Sequence, residues 1–168
     1  MARKFFYGEV LPSTPAFTTK LGAQNANYKD TEVGKLVKVG PVDSAHQLCA
    51  VGDLFAGYIT SVSPATADGF TIGGIQRCDS RFVTADGTQA AGTGVLALGD
   101  FVVAGTPVAQ NTGLGVTLPK VRKATLQPVD AGFIAGYPYF WQVTSLGVAG
   151  TGAVGTKVLI ERVAGNNR

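Results

Sequence analysis

The sequence predicts an all-β protein, a small β-barrel or jelly-roll-like sandwich with an extended N-terminal arm and long loops. Three observations carry that expectation. First, three stretches read alike: Ala-Val-Gly-Asp-Leu-Phe-Ala-Gly (50–57), Ala-Leu-Gly-Asp-Phe-Val-Val-Ala-Gly (97–105) and Ala-Val-Gly-Thr-Lys-Val-Leu-Ile (153–160). Each places Gly, which tolerates left-handed backbone, and then a short polar residue able to satisfy local backbone groups, before a run of β-formers. Second, about ten short segments of β-branched and aromatic residues are separated by Gly, Pro, Asn and Asp turn signals. Third, no apolar pattern of period 3.6 lasts three turns; the nearest candidate, 43–51, suggests one short turn of helix.

In chain order, residues 3–11 (Arg-Lys-Phe-Phe-Tyr-Gly-Glu-Val-Leu) read as a strand or an extended arm. Three consecutive aromatics are costly in water, so they dock on this chain's core or on a neighbour. Residues 12–32, rich in Pro, Thr, Ala, Gln and Asn, read as a long polar loop. Val33–Val39 alternates as a strand before Gly40-Pro41. Leu54–Val62 and Phe70–Arg77 read as a hairpin around Ala67-Asp68-Gly69. Arg81–Thr84 is a short strand, and Ala85-Asp86-Gly87 another turn. The low bulk of 85–94 suggests mobility. Val95–Leu98 and Phe101–Ala109 form a strand pair around Gly99-Asp100. Val116–Leu126 is extended, with Pro119 marking an edge or bend. Phe133–Leu146 carries an aromatic cluster, and Thr156–Val163 is the last strand. The expected organisation is therefore an arm and polar loop (1–32), a single β domain (33–163) and a frayed tail (164–168).

Composition narrows the function classes. Glycine accounts for 23 of 168 residues, roughly twice the usual share of about 7%. Charged residues make up only 15%, whereas hydrophobic residues stand at an ordinary 45%, so the deficit lies in the charged surface. Either Thr, Ser and Gly replace the Glu and Lys of helical proteins, or much of the surface is covered by copies of the chain or by a partner. The net charge of +3 is spread over small groups with acids between most of them, and no basic run is interleaved with stacking aromatics, so nucleic acid is not an expected partner. No run approaches the length of a membrane span, and Met-Ala-Arg-Lys lacks the apolar core of a signal peptide. Cys49 and Cys78 read as two reduced thiols in a protein folded in a cytoplasm.

Catalytic chemistry finds no foothold. His46 is the only histidine; Asp43 and Ser44 lie near it in sequence, but adjacency is not triad geometry. One His and two distant Cys fall short of a zinc set. Asp68 and Asp86 sit in Asp-Gly turns, where conformational reasons suffice. Gly113-Leu-Gly115 and the glycines at 147, 150 and 152 lack both the lysine and the strand-to-helix setting of a phosphate loop. Tyr137, Tyr139 and Trp141 offer a stacking surface for a sugar, but on an alternating strand they read better as core. No enzyme, cofactor or metal is expected. The N-terminal residues Arg3, Lys4, Phe5, Phe6 and Tyr7, with the side-chain types that anchor interfaces, are the candidate partner contacts.

Glu32-Val-Gly-Lys-Leu-Val-Lys-Val, then Cys49-Ala-Val-Gly-Asp-Leu-Phe-Ala-Gly-Tyr-Ile-Thr-Ser-Val, then Ala67-Asp-Gly-Phe-Thr-Ile-Gly-Gly-Ile-Gln resembles the capsid decoration (cement) proteins of tailed bacteriophages. In that group a Gly-Asp strand ending in Ser-Val is followed by an Asp-Gly strand ending in Gln. The likeness covers roughly 32–77; elsewhere it is only general Gly/Ala/Thr-rich β character. It implies a small β-barrel or jelly-roll protein of the virion, made in the host cytoplasm. Such a protein binds the outer surface of the assembled head and clamps neighbouring subunits of the major capsid protein. The expected partners are that coat protein and the chain itself, as a homo-oligomer (dimer or trimer). The family supplies no catalytic residues to carry over. Alternatives are another phage β-module, such as a head-fibre base or tail component, and a carbohydrate-binding β-sandwich.

Overall fold

The structure is a computed structural model that describes residues 17–40, 45–63, 66–77, 80–87, 94–108, 118–124 and 139–164. Among the described residues ten strands form two sheets, and each sheet closes on itself. The first ring contains β1 (Phe17–Leu21), β2 (Leu36–Val39), β3 (His46–Leu48), β4 (Gly57–Ser63) and β5 (Thr71–Gln76). The second contains β6 (Ser80–Ala85), β7 (Phe101–Ala104), β8 (Lys120–Lys123), β9 (Tyr139–Ser145) and β10 (Lys157–Ala164). A single 3-10 turn, Asp30–Glu32, is the only helical element among the described residues.

The second ring repeats the pairing of the first. In the first, β1 lies parallel to β3 and antiparallel to β5, β2 pairs with β3 and β4, and β4 pairs with β5. In the second, β6 lies parallel to β8 and antiparallel to β10, β7 pairs with β8 and β9, and β9 pairs with β10. The last hairpin of each ring carries a register shift, at Ile59/Ser61 in one and Leu159/Ile160 in the other. Such irregularities sharpen twist and help a small sheet close. Closure also removes the exposed edges that a β-protein must otherwise protect.

Alternation fills the interiors. Along β10, Val158 and Ile160 point inward and are fully buried, whereas Lys157, Leu159 and Glu161 are at least partly exposed. The first barrel closes on Leu21, Val37, Ile59 and Ile75. The second barrel's larger core, built around Val83, Val102, Val121, Trp141, Val143, Val158 and Ile160, also takes in Leu36 and Phe55 from the first. The Phe55 ring stacks on Trp141 with centroids 5.0 Å apart, and Trp141 Nε1–H donates to the Phe55 carbonyl at 3.0 Å.

The all-β barrel class is therefore present, and several boundaries differ from those expected. The 12–32 loop contains β1, because Phe17–Leu21 finds backbone partners on both β3 and β5 and seals Leu21 inside. The barrels thus begin upstream of residue 33. The helical turn expected over 43–51 is instead strand at His46–Leu48, paired with β2. Val95–Leu98 is not a strand partner of β7 (Phe101–Ala104), the strand observed within the expected 101–109; it contributes one bridge, Leu96 to Gly152, and β7 pairs with β8 and β9. The 54–62/70–77 hairpin is observed as β4–β5. Residues 1–16, 88–93 and 165–168 lie outside the described residues, and with them the arm, most of the low-bulk stretch and most of the tail.

Candidate functional site

The three sequence repeats are one turn used three times. In 50–53, 97–100 and 153–156 the fourth residue's N–H donates to the first residue's carbonyl, at 3.2, 3.2 and 3.0 Å. The third residue is Gly52, Gly99 or Gly155, with φ of 89°, 85° and 86°. That is the type II pattern, which demands positive φ at its third position. Asp53 and Asp100 close the turn by accepting the N–H of Ala50 and Ala97 at 2.7 and 2.8 Å. Thr156 does the equivalent with its hydroxyl, which donates to the Ala153 carbonyl at 2.7 Å. Lys38 and Lys123 pair with the two aspartates at 2.7 and 2.6 Å.

The geometry turns the second residue of each repeat outward. Val51, Leu98 and Val154 are 47%, 62% and 50% exposed; Val148, in the turn 147–150, whose positive-φ glycines stand first and fourth instead of third, is 84% exposed. The Leu96–Gly152 bridge ties the 95–98 and 148–154 loops together, so Val95, Leu98, Val148 and Val154 belong to one pair of joined loops on the second barrel. Exposed apolar side chains scattered singly mean little, but a group on adjoining loops marks a surface suited to a partner.

A second feature lies between the barrels. A cleft of about 270 Å³ is walled by Leu36, Leu48 and Cys49 on one side and by Ala104, Pro107, Val108 and Pro119 on the other, with Lys35 and Lys120 flanking it. Close by, the Arg81 guanidinium sits 3.3 Å above the centroid of the Tyr58 ring, a further contact between barrels. Lys120 is held loosely, 3.6 Å from Asp86. Asp86 is already occupied: its carboxylate accepts from Arg122 at 2.7 Å and from the Thr106 N–H and hydroxyl at 2.7 and 2.8 Å. Burial pushes the Asp86 carboxyl up, but the Arg122 and Thr106 hydrogen bonds, with the Lys120 charge, outweigh it and bring it to about 2. An Asp-Gly turn alone does not account for this residue.

The residues with chemical potential are committed elsewhere. His46 is buried, with Thr19 Oγ1 3.3 Å from Nδ1 and an Arg77 guanidinium nitrogen 3.4 Å from Nε2. Since Arg77 can only donate, Nε2 accepts and Nδ1 carries the proton. Burial first, and the Arg77 charge second, push the His46 pKa below its usual value. Burial raises the Cys49 thiol to about 12, which leaves it un-ionised and a poor nucleophile at neutral pH. Cys49 is free; Cys78, Asp43 and Ser44 lie outside the described residues. Asp68 is tied to the Thr66 hydroxyl within its own turn, which lowers its pKa. Among the described residues no group of three or more His, Cys, Asp or Glu could hold a metal, and no helix is long and apolar enough to cross a membrane.

Of the aromatic cluster, Phe140 and Trp141 are buried at 3% and 2% exposure, as a core strand requires. Tyr137 lies outside the described residues, as do the candidate contacts Arg3, Lys4, Phe5, Phe6 and Tyr7. The repeats are visible in sequence; the outward direction of their aliphatics and the cleft are not. An aliphatic directly before the glycine of a type II turn is the signal that could have found the former; the cleft depends on residues from 35 to 120 and has no local signal. Comparison with protein-family models, with curated proteins and with solved structures finds no match to this chain.

Proposed function

We propose that this chain is a structural protein of a tailed-phage virion that binds the outer surface of the assembled head and stabilises it by clamping neighbouring coat subunits. The observation that carries the docking role is the group Val95, Leu98, Val148 and Val154 on two loops joined at the Leu96–Gly152 bridge. The two joined loops hold these aliphatic side chains in water at a cost that a partner surface would relieve. The choice of partner rests on the resemblance of residues 32–77 to head-decoration proteins. Low charge content fits the same role, because unpaired charges are costly to desolvate at an interface. A carbohydrate-stacking role through Trp141 is disfavoured, since that ring is spent on Phe55.

Binding to the assembled lattice and not to free coat subunits would stabilise the shell by mass action, so a few kcal/mol per copy would suffice. The test is to mix the protein with empty heads, sediment them, and then heat matched filled heads with and without it. Co-sedimentation and a raised temperature of genome release are expected. Leu98→Asp and Val148→Asp should weaken sedimentation with heads while leaving the melting of the free protein unchanged. Equal release temperatures at saturating occupancy would remove the cement role. Density at vertices or on the tail in particle images would move the chain to a fibre base or tail component.

A further inference from the structure

We propose that the cleft between the two barrels is an anchor pocket for one large apolar side chain of a partner protein, presented beside a carboxylate. The inference rests on the docking reading above. Three observations define the occupant. The volume, about 270 Å³, is below the range of roughly 300–1,000 Å³ that suits whole drug-sized ligands, and matches one anchoring side chain better than a complete small molecule. The walls, Leu36, Leu48, Pro107 and Val108 among them, are apolar and give the anchor a surface to leave water against.

The flanks supply the third observation, which is charge. Lys35 stands on the first barrel's side and Lys120 on the second's. Lys120 is the freer of the two. Lys35 is held by Glu32 at 2.6 Å with both side chains about four-fifths buried, whereas Lys120 is 36% exposed and lies 3.6 Å from Asp86 Oδ1, the bonds from Arg122 and Thr106 all falling on Oδ2. An incoming carboxylate can recruit the Lys120 ammonium without stripping the buried Asp86–Arg122 pair, with Lys35 adding its charge from the other flank. Interface energy concentrates where a large side chain fills a desolvated pocket, with charges around it setting orientation and partner choice. The cleft offers that arrangement to an acidic segment carrying Phe, Trp or Leu.

The probe is the peptide acetyl-Asp-Phe-Asp-amide, titrated into the ¹⁵N-labelled full chain and followed by two-dimensional NMR. Shifts are expected at the amides of Leu48, Cys49, Ala104 and Lys120, with millimolar affinity, as befits an isolated anchor. The Ala-centred peptide should give none. The Asn-Phe-Asn peptide, or the Lys35→Gln/Lys120→Gln variant, should bind about two- to fivefold more weakly. Val108→Trp should fill the cleft and abolish the shifts while the spectrum stays dispersed; if that variant misfolds, the double lysine variant decides. No cleft shifts at about 10 mM peptide, or equal binding of the uncharged peptide, would overturn the proposal. Concentration-dependent cleft shifts without peptide would assign the pocket to a second copy of this chain and overturn it equally. Heads separate this inference from the one beneath it. If heads bind wild type and Val108→Trp alike, the docking role stands and the cleft role falls; if the cleft takes the peptide while heads bind neither protein, the reverse holds.

Discussion

Replacing Asp86 with asparagine isolates a heavily committed polar group of the second barrel. Its side chain is 8% exposed and that of Arg122 is 6% exposed, so the substitution strands a buried guanidinium and weakens two contacts with Thr106. Removing one partner of a buried ion pair costs about 3–5 kcal/mol. The depressed pKa gives a separate figure: a fall from 3.8 to about 2 corresponds to about 2 kcal/mol of stability at neutral pH. The two figures differ because only the first includes the stranded arginine. For a chain of this size such a loss lowers the melting temperature by roughly 6–20 °C. Urea unfolding followed through Trp141, the only tryptophan, measures it directly. Asp86 has a folded pKa below its unfolded one, so its contribution is present above pH 3.8 and fades as pH falls toward 2; wild type should show that loss and the asparagine variant should not. Asp86→Leu/Arg122→Met should recover much of the stability lost by the single change. A single variant within about 1 kcal/mol of wild type, or a double variant as unstable as the single, would refute the reasoning.

Four further outcomes can be measured. Gly152→Ala should destabilise by about 1–3 kcal/mol, since its Cβ would fall 2.1 Å from the Leu96 carbonyl oxygen, whereas Gly52→Ala meets only open space and should cost about 1–2 kcal/mol through its φ of 89° alone; thermal melts compare them. In a Cys78→Ser background, Cys49 should resist maleimide at pH 7 until urea exposes it, because burial holds its thiol near 12; rapid labelling of the folded protein would contradict this. His46 is held neutral, so below its usual value of 6.5 the unfolded chain binds a proton that the folded chain does not, and stability should fall; in His46→Gln, denaturant midpoints between pH 7 and 5 should lose that component. Deleting residues 1–11 should leave a soluble β protein with weaker attachment to heads, and aggregation of the free protein would instead make those residues part of the core.

The sequence was most legible where structure is local. Ala-φ-Gly-Asp/Thr, with φ an aliphatic, specifies a turn through the backbone freedom of one glycine and the reach of one carboxylate or hydroxyl, and all three copies adopt it. The β4–β5 hairpin was legible for the same reason. β1 was not: Phe-Thr-Thr-Lys-Leu is short and mostly polar, and it becomes a strand through partners at Thr71–Ile75 and His46. The duplicated pairing was hidden because equivalent strands share no pattern, as Phe-Thr-Thr-Lys-Leu of β1 against Ser-Arg-Phe-Val-Thr-Ala of β6 shows. In sequence Asp86 looks like no more than a turn residue because its Arg122 partner is 36 positions away. The cleft was illegible on the same ground, since its walls come from opposite barrels.

The duplication also bears on how the candidate surfaces are held. Two barrels of the same topology need not depend on each other, but among the described residues the first has Leu21, Val37, Ile59 and Ile75 as its own buried cluster and lends Leu36 and Phe55 to the second. Burying side chains of that size contributes about 1.5–3 kcal/mol each, a large share of what a five-stranded barrel of some sixty residues can muster alone. Separating the barrels would expose those two residues and unstack Trp141. It would also leave the Phe55 carbonyl and the Trp141 N–H without each other. The junction is therefore part of the core. Because Leu36 lines the cleft and the Trp141 strand carries the 146–156 loop at its end, the same contacts that join the barrels hold both the pocket and the exposed aliphatic turns in place.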